Sequence, residues 1–99
     1  MPDTQISWLP GAVKDVARLR EFIKKDNPIA AKKAGQRILS AVNILIKNPE
    51  VGTPSLDEDC ELFRDLYAPF GQGGYTIRYR IKDRAVVITR VWHSREERI

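Results

Sequence analysis

The sequence contains one cysteine, Cys60, and one histidine, His93. One thiol closes no internal disulfide, and one cysteine with one histidine makes no plausible zinc set. No metal and no cofactor is therefore expected, and the sparing use of cysteine points to the cytoplasm. The opening MPDTQISWLPG has neither the basic nor the apolar region of a secretion signal. No apolar run approaches the roughly 20 residues that cross a bilayer, so no membrane is expected as a partner. The glycines of GQGG are not followed by Lys-Ser or Lys-Thr, and neither GxSxG nor HExxH occurs. These absences remove disulfide scaffolds, zinc modules, P-loop enzymes, serine hydrolases and zinc proteases. No internal repeat and no low-complexity tract is found.

What is present is an ordinary soluble composition with a basic excess. Hydrophobic residues make up 42% and charged residues 30% of 99 residues, which suits one folded domain spanning residues 1–99. The net charge is +4 and the pI about 9.5. That balance favours acidic partners, nucleic acid or an acidic protein segment, without choosing between them.

The hydrophobic period changes along the chain. QISWL (residues 5–9) alternates loosely and reads as a first strand, broken by Pro10 and Gly11. In AVKDVARLREFIKK, Ala12, Val16, Leu19 and Ile23 recur at helical spacing, with Val13 and Phe22 widening the stripe. Asn27-Pro28 reads as an N-cap followed by proline at the first helical position. A second helix runs from there to about Lys47, with Ala31, Ala34, Ile38, Val42 and Leu45 as its apolar positions. The short turn between the helices makes them an antiparallel hairpin. PEVGTPSLDED (residues 49–59) reads as a loop.

From Glu61 the period is two. ELFRDLY is a strand, APFGQGG a loop, and YTIRYRI the clearest strand. Tyr75, Ile77, Tyr79 and Ile81 share one of its faces, and Thr76, Arg78, Arg80 and Lys82 share the other. AVVITRVW is apolar on both faces, as a central strand would be. The fold class expected is α+β, in the order β-α-α-β-β-β. The antiparallel sheet is covered on one face by the helical hairpin. The opposite face is expected to be open and lined by Arg64, Arg78, Arg80, Arg90, Arg95 and Arg98, whose planar forks suit phosphates or carboxylates.

Metal-independent RNA cleavage needs a base for the 2′-OH, cations for the phosphorane and an acid for the leaving oxygen. His93 with Arg64, Arg80 and Arg95 is a chemically possible set. The bland alternative is equally concrete: His93 as structure, Tyr75 and Tyr79 as core, and Asp57, Glu58 and Asp59 as solvated charge.

The arginine of FRDL, then GGYTIRYRI, then a strand ending VVITRVWHSRE, all after a helical hairpin with an Asn-Pro stop, resembles the RelE/ParE toxin superfamily of bacterial type II toxin–antitoxin systems. The resemblance covers nearly the whole chain. It implies two activities. RelE-like members are ribosome-dependent mRNA endonucleases, and ParE-like members inhibit DNA gyrase. In both branches an antitoxin wraps and neutralises the toxin.

Arg64 matches the arginine that contacts the scissile phosphate in the nucleases, and His93 and Arg95 fall near other nuclease residues. No tyrosine follows His93, however, and the residues before Arg64 are acidic. The resemblance is therefore to the ParE-like branch. It implies a plasmid-stabilisation toxin that inhibits gyrase, held by a cognate antitoxin in a hetero-oligomer. The alternative implied is an endonuclease acting on ribosome-bound mRNA through Arg64, His93 and Arg95. No catalytic residue is assigned with the first reading. Arg64, Arg78, Arg80, Arg90, Arg95 and Arg98 are its candidate binding residues for antitoxin or target.

Overall fold

A computed structural model describes residues 4–56 and 62–96. Strand β1 (Gln5–Trp8) leads into helix α1 (Pro10–Lys24), and helix α2 (Pro28–Lys47) follows after a three-residue turn. Four strands complete the chain: β2 (Thr53–Leu56), β3 (Leu62–Phe70), β4 (Gly73–Lys82) and β5 (Ala85–His93). The sheet order is β1-β5-β4-β3-β2. β2 to β5 form an antiparallel meander, and β1 adds to β5 in parallel, with Gln5 opposite Ala85.

The elements begin where their residues allow. β1 stops before Pro10, which occupies the first helical position of α1, where its missing N–H is no loss. Asn27 caps α2, its side chain accepting from Ala30 N at 3.0 Å. The segment expected as a loop, residues 49–59, carries β2, which pairs with β3 from Thr53 opposite Asp65 to Leu56 opposite Leu62. APFGQGG is mostly strand as well. β3 runs on to Phe70 and β4 starts at Gly73, so only Gly71 and Gln72 turn, with Gly71 at φ 61°.

The helical hairpin covers one face of the sheet. Ala12 and Leu19 from α1 and Ala34, Ile38, Ala41, Val42 and Leu45 from α2 pack on Tyr75, Ile77, Tyr79, Val86, Ile88 and Val91. Tyr75 and Tyr79 are core, as their alternation predicts. Val13 and Phe22 do not join the buried stripe; they are 54% and 76% exposed. β5 lies inside the sheet, as its two apolar faces require. Opposite Arg78 and Tyr79 it takes one extra residue, Thr89, whose Oγ1 donates to the Arg78 carbonyl at 3.1 Å. No helix among the described residues is long and apolar enough to cross a membrane.

Candidate functional site

The arginines expected on one open face do not share it. Register places Arg64 opposite Tyr79, so Arg64 belongs to the helix-covered face, whereas Arg78 and Arg80 alternate onto the other. The Arg64 guanidinium closes the segment after α2: Nη1 donates to the Glu50 carbonyl at 2.9 Å and to the Gly52 carbonyl at 2.8 Å. Tyr79 completes that clamp. Its hydroxyl donates to the Pro49 carbonyl at 2.7 Å and accepts from Gly52 N at 2.9 Å. Burial pushes the Tyr79 hydroxyl above its ordinary range.

On the open face, Arg78 lies between two rings. Its guanidinium carbon is 3.9 Å from the Phe63 centroid and 4.9 Å from that of Trp92. It also makes a two-pronged pair with Asp65, at 2.9 and 3.0 Å. Its charge is thus matched within the sheet, and Arg80 is the next cation along the same face. Tyr67, half exposed, alternates onto this face too.

Arg90 turns around the edge of β5 to α1. Its Nε donates to Asp15 Oδ2 at 2.8 Å and its Nη2 to Oδ1 at 3.3 Å. Asp15 also accepts from Val91 N at 2.9 Å and from Arg18 Nη2 at 3.2 Å. Burial alone would raise the Asp15 carboxyl, but the bonds from Arg90, Val91 and Arg18 outweigh it and hold it below the ordinary carboxylate value. Sequence reasoning passed over Asp15. The signal was its position, three residues after Ala12 and four before Leu19, which puts a carboxylate on the buried stripe of α1.

His93 and Arg95 do meet, at the far end of the sheet from Arg64. His93 pairs with Tyr75, and their rings meet edge to face with centroids 5.2 Å apart. Arg64 and His93 are opposite residues four apart on β4, a separation of roughly 13 Å along a strand. His93 Nδ1 accepts from Arg95 N at 3.1 Å. In the neutral ring that bond puts the proton on Nε2, which lies beside Gly73. Arg95 Nη2 donates to Gln72 Oε1 at 3.2 Å. Arg98, Cys60 and the acidic residues Asp57, Glu58, Asp59 and Glu61 lie outside the described residues.

Beside His93 a groove of about 690 Å³ opens between α1 and the end of the sheet. Leu19, Phe22, Ile23, Phe70 and Tyr75 give it an apolar floor, and Arg18, His93, Arg95 and Glu96 give it a charged end. Arg18 bonds Glu96 across that end, and Glu96 Oε1 accepts from His93 N at 2.9 Å. An apolar trough with charge at one end suits a peptide segment better than a small polar substrate. Among the described residues no three histidines, cysteines or carboxylates gather in a way that would hold a metal ion.

Comparison with known proteins identifies the scaffold. Residues 6–98 match the family described as the ParE toxin of type II toxin–antitoxin system, parDE. Toxin RelE3 of Caulobacter vibrioides is 36% identical over 89 residues, covering 90% of this chain and 92% of that protein. Toxin RelE1 of the same organism is 34% identical, covering 88% and 89%. The backbone resembles a chain of the chromosomal ParDE TA system from P. aeruginosa with a TM-score of 0.71 at 23% identity, covering 89% of this chain and 92% of that one. That last likeness bears on the fold alone. Family match and curated relatives together lead to one conclusion: the chain belongs to the ParE toxin family of type II toxin–antitoxin systems.

Proposed function

We propose that this toxin acts in the cytoplasm by binding DNA gyrase, without chemistry of its own, and that a cognate antitoxin neutralises it by covering the groove beside α1. The observation that carries this reading is the separation of the residues a nuclease would need together. Arg64 bonds two backbone carbonyls at one end of the sheet, and His93 stands two strands across and roughly 13 Å further along at the other. A general base must come within hydrogen-bonding reach of the proton it takes. One ring nitrogen of His93, Nδ1, is already taken by the Arg95 N–H.

The test is supercoiling of relaxed plasmid by purified gyrase with the toxin at micromolar concentration. Inhibition that antitoxin reverses, and that His93→Ala retains, is the expected result. Undiminished supercoiling would reject gyrase as the target.

One observation favours a second reading, an mRNA endonuclease: His93 and Arg95 stand side by side at an open groove. That reading requires new 5′ ends on cellular mRNA after expression, detected by primer extension and abolished in both His93→Ala and Arg64→Ala. Because Arg64 clamps the segment after α2, Arg64→Ala is read only beside a thermal melt that shows it folded.

A further inference from the structure

The groove beside α1 has a charged end that the chain fills with its own carboxylate. Glu96 Oε2 meets Arg18 Nη1, and Glu96 Oε1 accepts from the backbone N–H of His93 at 2.9 Å. A side-chain cation and a backbone N–H converging on two oxygens is the arrangement by which proteins hold a carboxylate from elsewhere. Here the carboxylate comes from three residues along, in the turn after β5.

The two ends of this contact are held differently. Arg18 also donates to Asp15, whose side chain is 7% exposed and which takes bonds from Arg90 and Val91 N as well. Arg18 therefore keeps an anchor when Glu96 leaves. Glu96 itself sits at the rim, with its side chain 28% exposed, where water competes and an ion pair contributes little. Its departure leaves Arg18 and Arg95 as the charged groups at that end, two cations beside an apolar floor.

We propose that Arg18 and the His93 N–H form a carboxylate-binding subsite of the groove, and that Glu96 occupies it as an internal stand-in. The occupant it yields to is a partner segment that carries a carboxylate next to an apolar or aromatic side chain. The apolar group lies on Leu19, Phe22 and Tyr75, and the carboxylate replaces that of Glu96. Glu96 thus competes with the partner, and the groove opens to acidic segments in preference to neutral ones. This inference rests on the antitoxin half of the proposed function.

The test uses two small molecules of one shape, 3-phenylpropionate and its neutral counterpart 3-phenylpropanol, titrated into the full-length toxin. Binding is followed by the NMR shifts of the His93 amide and the Arg18 Nε–H. Wild type binds the acid weakly. Glu96→Ala binds it about fivefold more tightly, the effect of removing one exposed competing ion pair. Glu96→Gln, which keeps the side-chain length, falls between them and carries the test if Glu96→Ala does not fold. Arg18→Met loses the preference for acid over alcohol.

Equal affinity of the acid for wild type and both Glu96 variants overturns the inference. So does equal binding of acid and alcohol by the Glu96 variants. A toxin that blocks gyrase but shows no gain in the Glu96 variants retains the proposed function and loses only this subsite. A toxin inert on gyrase that shows the gain keeps the subsite and loses its proposed target.

Discussion

Beyond Ile88, β5 has no strand on its outer side, because β1 ends at Trp8 opposite it. The amide of Val91 is left to find a partner, and Asp15 of α1 supplies one at 2.9 Å. One carboxylate thereby satisfies a strand edge, ties α1 to β5 and holds Arg18 and Arg90. Asp15→Ala is expected to cost about 2–3 kcal/mol in urea unfolding, the penalty of stranding a buried N–H and loosening two cations.

The same residue sets an acid limit. Its folded value lies below its unfolded one. Its contribution is therefore complete above the unfolded value, near pH 4, and lost as pH falls through the folded value. The gap in urea midpoint between wild type and Asp15→Ala should be full at pH 6 and shrink toward pH 2. A gap that stays constant across that range would reject the role given to Asp15.

At the scale of elements, the β3–β4 hairpin leaves little room for a side chain at Gly74. A Cβ on Gly74 would lie 2.5 Å from the Tyr67 ring and 2.8 Å from the Ala68 carbonyl. The ring is half exposed and swings aside, but the carbonyl is backbone of the paired strand. Gly71 has φ 61° and nothing within 4 Å of a would-be Cβ. Gly74→Ala should therefore destabilise by about 1–3 kcal/mol through crowding. Gly71→Ala should lose only about 1–2 kcal/mol through backbone strain. Thermal melts of the two variants test the order, and the reverse ranking would contradict the crowding at Gly74.

The hairpin also shows what sequence can and cannot convey about elements. YTIRYRI announced its buried face by alternation, and Asn27-Pro28 announced the start of α2, because both signals are local. β2 was missed because TPSL holds a proline and is a strand only by lying on β3, an edge position that admits proline. The arginines were sorted onto one face because alternation fixes faces within a strand and not between strands. Pairing Arg64 with Tyr79 instead of with a neighbour one residue along decides its side of the sheet. His93 and Arg95 were legible as a pair, being two residues apart in sequence. Asp15 needed the end of β1 to be known before its partner had a reason to be there.

At the scale of the whole molecule, the sheet joins distant parts of the chain. Among the described residues β1 is the first strand and β5 the last, yet they are neighbours, with Gln5 opposite Ala85 and Trp8 opposite Ile88. Side chains from both, Ile6 and Trp8 with Val86 and Ile88, enter one core. β5 also carries Val91, the partner of Asp15, so α1 has no edge to dock on until β5 is present. A chain halted after Arg84 should therefore remain sensitive to protease in α1, and one extended past Glu96 should become resistant. Resistance before β5 is made would refute the dependence.

That neighbourhood of first and last strand has a temporal meaning. Residue 85 leaves the ribosome roughly 80 residues after residue 5, about 4–16 s later at 5–20 residues per second. Until then the helical hairpin is made but has no finished sheet beneath it, and the sheet-side wall of the groove, with His93 and Glu96, does not exist. The groove is therefore among the last features of the molecule to form.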